Sequence, residues 1–312
     1  MLIPLGILAG LAAAAAQVRA GYFGGGGNPA TSTIEKYLFP ADTKSTLGTG
    51  LSSSRVGVAG MANSGTAGYF AGGNTTTTVD KVAFPGDTVS TLGTGLSAGL
   101  SFAGSIENRT VAGYIGGGDT GSVATTVDKF AFPADTKSTL GTGLSAARAR
   151  LAGASNQGTA GYFGGGLNSG ASPTTTVDKF AFPADTRSTL GTGFSVAKGN
   201  HGAMANSGTA GYFGGGTINF AGDQTTSVFK LTFSSDTFAT LATGLSGGAG
   251  ARQNVSAMAN SGVAGYFGGG NDGGSAVNAV DKFAFPSDTR SSAPVLSSSR
   301  QYVGAMANSG TL

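Results

Sequence analysis

The sequence of 312 residues contains no cysteine and no tryptophan, and it has a single histidine, His201. Without cysteine there are no disulfides, no thiolate nucleophile and no sulfur-ligated metal. One histidine leaves almost no ligand supply for zinc, copper or haem, so neither a metal site nor any other cofactor is expected. His201 is expected at the surface rather than in catalysis. Charged residues make up only 11% of the chain, with a formal balance of +3. The chain therefore lacks the dense basic patch that nucleic-acid binders set against phosphates. Phosphate loops are absent as well, because the GYFGGG runs are followed neither by a helix nor by a lysine at Walker spacing. Glycoside hydrolysis needs two carboxylates facing one cleft. The acids that break the repeat described next (Glu35, Glu107, Asp119, Asp223 and Asp272) are unpaired in sequence. A non-enzymatic role is the expectation.

What is abundant is glycine, 57 residues of it, placed at fixed positions beside Phe, Val and Leu. From Gly21 onward the chain holds six near-copies of one segment. Its aromatic-glycine element begins at Gly21, Gly68, Gly113, Gly161, Gly211 and Gly265. A period of about fifty residues with several strand-like runs per unit marks a repeat architecture whose units bury their apolar faces only as an array. Each unit carries four strand candidates, exemplified by Gly202 to Asn206, Ala210 to Gly214, Thr126 to Phe132 and Lys137 to Leu140. The run Asn206 to Gly208 has tight-hairpin chemistry, and Pro133 to Asp135 suits a type I turn. Asp in the VDK runs (Asp80, Asp128, Asp178, Asp281) is expected to pair with its neighbouring Lys, and the PADT aspartates to form turns. Four antiparallel strands repeated six times predict an all-β fold, a six-bladed β-propeller over 21–312. The chain enters at a second strand and ends after a first strand, Gly304 to Asn308, so the C-terminal strand should complete the first blade.

The order glycine, two aromatics, two glycines, an aromatic strand, a P-x-D-T turn and then a basic residue before a small-residue strand resembles kelch repeats. The likeness runs from Gly21 to Gly310 and implies a kelch-like propeller. It departs where kelch blades carry a fourth-strand Trp, since Leu47, Leu92, Leu140, Leu190 and Leu241 stand there instead.

The six units differ unequally. From turn asparagine to aromatic glycine the spacing is constant (Asn63 to Gly68, Asn260 to Gly265), as it is from strand lysine to fourth-strand position (Lys36 to Leu47, Lys179 to Leu190). Length changes fall in the other two connections, which share the opposite face of an up-and-down blade. Loops held by a rigid scaffold commonly carry binding, so that face is the candidate recognition surface, with Asn168, Phe220, Asp223, Asn271 and Asp272 among its contributors. On the same side a basic residue recurs in five units, Arg55, Arg148, Lys198, Arg252 and Arg300, with Leu100 in the sixth. A ring of cations around a channel mouth would suit a carboxylated or sulfated glycan. The bland reading of these residues, which the kelch likeness favours, is that each packs its stem between blades and caps a carbonyl.

Residues 1–20 are different in kind, being apolar from Leu2 to Ala16 with one side-chain charge, at Arg19. No basic region precedes the apolar run, against a secretory signal, and the run is shorter than the ~20 residues of a membrane span. An anchor is expected, built on Leu2, Ile3, Leu5, Gly6, Ile7, Leu8 and Gly10. Gly6 and Gly10 have the small-xxx-small spacing that permits close backbone approach. The segment MLIPLGILAG followed by a Gly/Thr/Ser-rich repetitive domain resembles short virion proteins of tailed bacteriophages, including those of cyanobacteria. That likeness implies a tail-fibre-like virion appendage, a homo-oligomer docked onto other virion proteins through residues 1–20. It would present its propeller for host attachment through surface glycan or for particle decoration. The alternative is a secreted or surface-attached bacterial carbohydrate-binding lectin.

Overall fold

The computed structural model describes residues 19–27, 29–247 and 251–308, and the regular structure among them is entirely β. The anchor residues, Leu2 to Gly10, lie outside the described residues. Blade 1 consists of β1 (Ala20–Gly24), β2 (Ile34–Leu38), β3 (Thr43–Thr46) and the last strand of the chain. Blade 2 is β4 (Ala59–Asn63), β5 (Ala67–Ala71), β6 (Val79–Ala83) and β7 (Thr88–Thr91). Blade 3 is β8 (Gly104–Asn108), β9 (Ala112–Gly116), β10 (Val127–Ala131) and β11 (Thr136–Thr139). Blade 4 is β12 (Ala152–Asn156), β13 (Ala160–Gly164), β14 (Val177–Ala181) and β15 (Thr186–Thr189). Blade 5 is β16 (Gly202–Asn206), β17 (Ala210–Gly214), β18 (Val228–Thr232) and β19 (Thr237–Thr240). Blade 6 is β20 (Ser256–Asn260), β21 (Ala264–Gly268), β22 (Val280–Ala284) and β23 (Thr289–Ser292), and β24 (Gly304–Asn308) returns to blade 1.

Every sheet is antiparallel, and β24 pairs with β1 from Gly24↔Gly304 to Ala20↔Asn308. The innermost strands β4, β8, β12, β16, β20 and β24 each neighbour the next, and β24 neighbours β4, so the six blades close into a toroid. The C-terminal strand thus completes the first blade, and each blade keeps its outer strand as the edge on the outside of the toroid. Those edges are short and polar (TKST, TRST) and largely exposed, which disfavours edge-to-edge pairing.

The second strand of each blade, AGYFG in four of the six, is buried throughout because both of its faces meet other blades. Its glycine makes room for the preceding inner strand. The thioether of Met306 lies against Gly68, as Met61 does against Gly113, and a Cβ at either glycine would collide with sulfur. Met is the flexible, polarizable side chain suited to such a gap.

Polar contacts repeat with the same period and explain why VDK, GYF and FPADT recur together. Tyr69 stacks on Phe132 of the next blade at 5.3 Å, and its hydroxyl donates to Asp135 at 2.6 Å. Lys81 donates to the same carboxylate at 2.5 Å. Equivalent latches tie Tyr22 and Lys36 to Asp87, and Tyr266 and Lys282 to Asp42, the last joining blade 6 to blade 1. Burial, and then the facing aspartate, push each of these phenols well above the ordinary tyrosine range. The expected pairing of Asp with Lys inside VDK is therefore corrected. Adjacent strand residues point to opposite faces, so Lys81 reaches the next blade's turn while Asp80 faces inward.

The turn reading is corrected too. Phe–Pro is cis at Pro40, Pro85, Pro133, Pro183 and Pro286, and the aspartate that follows has φ of 56–57°. This is not a type I turn, and the left-handed aspartate is what aims its carboxylate at the neighbouring blade. The other constant turn is an inter-blade latch as well. Asn108 accepts from the amide of Gly158 at 3.1 Å, and Asn206 from that of Gly262 at 2.9 Å. Spacing is constant on this face because both turns must meet a neighbour in register.

Candidate ligand-binding site at the channel mouth

The connection from each outer strand to the next inner strand lies on the face of variable spacing. It carries the five basic residues of the expected ring. Arg55, Arg148, Arg252 and Arg300 are at most 1% exposed and Lys198 is fully buried. The solvent-facing ring of cations is therefore corrected, and the other reading, stems packed between blades as staples and capping carbonyls, is the one found. The carbonyl of Arg148 accepts from the amide of Gly118 in blade 3, while its guanidinium donates to the carbonyls of Gly165 and Thr176 and to Asp178 in blade 4. Arg55 pairs with Asp80, Arg252 with Asp281 and Arg300 with Glu35 in the same way. The glycine runs exist for this contact: a Cβ at Gly117, whose φ is +67°, would clash with the carbonyl of Arg148.

Two blades break the pairing in opposite senses. In blade 3 the cation position holds Leu100, and Asp128 is satisfied by the Ser97 amide and hydroxyl and by Thr139. In blade 5 the acid position holds Phe229, and the Lys198 ammonium sits 3.9 Å from its ring centroid while donating to Ser227. Burial pushes Lys198 down to about 7.

Two residues beyond each of these positions lies the mouth itself. Gly57, Phe102, Arg150, Asn200, Asn254 and Tyr302 occupy equivalent places in the six connections, all with φ between 56° and 72°. Their backbones form a closed ring in which each amide donates to the preceding carbonyl: Phe102 to Gly57, Arg150 to Phe102, Asn200 to Arg150, Asn254 to Asn200, Tyr302 to Asn254 and Gly57 to Tyr302. Five non-glycine side chains therefore stand where glycine suits the backbone, at roughly 1–2 kcal/mol each. Strain of this kind concentrates at functional sites.

The six side chains have diverged. Phe102 and Tyr302 meet edge-to-face at 4.9 Å over the space above Gly57. The Arg150 guanidinium lies over both rings, 4.5 Å from the Phe102 centroid and 5.4 Å from that of Tyr302. One of its nitrogens donates to Asn200 Oδ1 at 3.1 Å and to the Tyr302 hydroxyl at 2.9 Å. Asn254 donates through Nδ2 to Gln301 at 2.8 Å, but its Oδ1, buried in a residue only 6% exposed, has no partner among the described residues. These side chains line a cavity of about 110 Å³ whose lining contains no carboxylate. His201 also lines it, buried against Phe194 and Phe213 and not at the surface as expected. Burial and the neighbouring Lys198 push its imidazole down to about 3, so it is neutral at physiological pH.

The fold is similar to one in a solved structure described as that of YjhT, with a TM-score of 0.65 at 15% identity, covering 80% of this chain and 86% of that one. No family model and no curated protein matches the chain. The likeness establishes the propeller architecture.

The expected loop residues sit on the rim of the same face but do not line the cavity. Asn168 accepts from the amides of Gly170 and Ser172, and Asp223 is bonded to Asn219, so each shapes its own loop. Asn271 bridges to Gln253, next to the mouth's Asn254, and Asp272 bonds Ser275 across its loop. Phe220, 74% exposed, projects from the Asn219–Asp223 loop. The opposite end of the channel holds a second cavity of about 100 Å³, lined by Glu107, Arg109, Gln157 and Ser155 among others. Glu107 accepts from the Ala62 amide at 2.6 Å, and burial pushes its carboxyl up to about 7.

Positions 102, 150 and 302 do not stand out in sequence, because the residues just before them (Ser101, Ala149, Gln301) differ between units as much as they do. The basic residue two places earlier is the more conspicuous signal.

Proposed function

We propose that the chain is a non-enzymatic adhesion protein that binds a glycan at the channel mouth of its variable face. One observation carries this reading: at the mouth of an otherwise repetitive toroid, aromatic, guanidinium and amide side chains replace glycine at strained positions. Aromatic faces beside fixed hydrogen-bonding groups suit sugars, whose rings present C–H faces and hydroxyls together. The lack of carboxylates in the lining supports binding without hydrolysis. The setting we propose is a phage virion, with residues 1–20 docking the chain to other virion proteins and the propeller held outward toward the host surface. The N-terminal likeness supports that setting.

A glycan array probed with the purified protein tests the binding reading. Binding that is lost in Phe102→Gly and Arg150→Gly supports it, and an array without signal removes it. Mass spectrometry of purified particles tests the setting separately. Glycan binding by a chain absent from particles would make it the secreted or surface lectin instead.

A further inference from the structure

We infer that the channel mouth selects acidic glycans, with the Arg150 guanidinium taking the carboxylate or sulfate of the bound sugar. This rests on the glycan-binding reading and names the charge of the ligand.

The placement of the guanidinium comes first. Among the six equivalent positions of the backbone ring, Arg150 and Tyr302 are three places apart, on opposite sides of the mouth. Even so, Nη1 of Arg150 donates to the Tyr302 hydroxyl at 2.9 Å, so the side chain reaches across the opening. The same nitrogen donates to Asn200 Oδ1 at 3.1 Å, and the Phe102 ring centroid lies 4.5 Å from the group. Contacts from three of the other connections therefore fix the charge at the entrance.

That charge is uncompensated. Arg55, Arg148, Arg252 and Arg300 each have an acid in the neighbouring blade. Arg150 has none among the described residues, and no Asp or Glu lines the cavity. His201 beside it is neutral, its imidazole pushed down to about 3 by burial and by Lys198. The cavity at the other end of the channel differs, because there Glu107 accompanies Arg109.

The free edge of Arg150 defines what it can hold. Its Nε and Nη2 have no partner among the described residues, and they are not enclosed as the unpartnered Nε atoms of Arg55, Arg148, Arg252 and Arg300 are. Solvent, and hence a ligand, reaches them. Nε and Nη2 carry parallel N–H groups on one side of the plane, the fork that takes two oxygens of a carboxylate or sulfate at once. Such charge-assisted bonds are roughly twice as strong as those a neutral hydroxyl would make. With Nη1 already occupied, the whole of this fork is left for the ligand.

The test uses the full chain on an array of paired glycans: uronate-containing glycans beside their carboxyl-reduced counterparts, and sulfated glycans beside their desulfated ones. The wild type should favour the acidic member of a pair by about tenfold or more. The preference should shrink as NaCl rises from about 50 to about 500 mM. The arm that shows it tells carboxylate from sulfate. Arg150→Gln, checked as folded by circular dichroism, should lose the preference. Arg150→Lys, which keeps the charge without the fork, should keep only part of it. Acidic and neutral members bound equally, or an acidic preference undiminished in Arg150→Gln, would overturn the charge assignment and leave glycan binding standing. No binding to any glycan removes both.

Discussion

The amide of Gly57 donates to the carbonyl of Tyr302 at 3.0 Å, and this bond closes the backbone ring at the channel mouth. Gly57 is the one member of that ring without a side chain, and its φ of +72° is one glycine adopts freely. It thereby shows what the position looks like when only the fold is served. The expected result is that Phe102→Gly or Arg150→Gly leaves stability nearly unchanged. Relief of about 1–2 kcal/mol of backbone strain offsets the lost ring packing of about 0.5–1.5 kcal/mol and the added chain entropy. Glycan binding should be lost in the same variants. A fall in melting temperature comparable to that of a core truncation would show that these side chains serve the fold instead.

Arg148 and Asp178 form a pair with both side chains fully buried. Removing one member of a buried pair is costly, and Arg148→Ala should lower stability by about 3–5 kcal/mol in denaturant melts. Arg148→Leu should lose less. Blade 3 already carries Leu100 at this position, and Asp178, like Asp128, keeps bonds from a serine amide and a threonine hydroxyl. Equal losses for the two variants would mean that the carboxylate cannot be satisfied without the guanidinium.

The repeat made the architecture legible before any contact was known. Gly202–Asn206 and Ala210–Gly214 are strands with the bounds their patterns imply, and the placement of Gly304–Asn308 beside β1 follows from the order of strands in the unit. The third and fourth strands differ by a residue at their ends, where a period-two pattern fades into the turn. Side-chain direction in the connections was legible only through the likeness to kelch repeats. The spacing of Arg55, Arg148 and Arg252 located them on the correct face, and the kelch likeness favoured stems packed between blades and capping carbonyls, as the structure has them; the partner acids in the next blade were not foreseen. The ring two residues on was hidden. Non-glycine residues at positive φ carry no composition signal, so nothing in the sequence marks Phe102, Arg150 and Tyr302.

Lys198 gives the molecule a specific pH response. Burial lowers it from 10.5 to about 7. Between those values the unfolded chain retains a proton that the native state has released, so stability rises with pH across that window. Phe229→Asp supplies the carboxylate found in the other staples, raises Lys198 again and should flatten the rise. Chemical denaturation between pH 7 and 9 measures it. Lys198→Met retaining the wild-type slope would rule this residue out as the source.

Glu107 should act in the opposite sense over a lower range. Its carboxyl is raised from 4.5 to about 7 by burial, against the bonds from Ala62 and Gln157 and the charge of Arg109. Between pH 4.5 and 7 the native state holds the extra proton, so this group's contribution to stability is present at the acid end and fades as pH rises. Glu107→Gln keeps the shape and removes the titration. The variant should match the wild type near pH 5 and exceed it above pH 7, and identical melting curves at both pH values would show that the carboxyl is well solvated.

Thr110 is the remaining local conflict. It occupies the third position of the inner hairpin turn with φ of +59°, and Val111 donates back to the carbonyl of Asn108 at 2.9 Å. The equivalent residues Gly65, Gly158, Gly208 and Gly262 all have positive φ and are all glycine. A β-branched side chain in the left-handed region is disfavoured by roughly 1–2 kcal/mol. Glycine gives back part of that gain through the greater freedom of its unfolded chain, about 0.5–1 kcal/mol. Thr110→Gly should therefore stabilise the protein by about 0.5–1 kcal/mol without affecting ligand binding, since the turn lies on the face opposite the mouth. Urea melts of the two proteins decide the matter, and a destabilised variant would mean that the threonine side chain makes a contact whose value exceeds the strain it imposes.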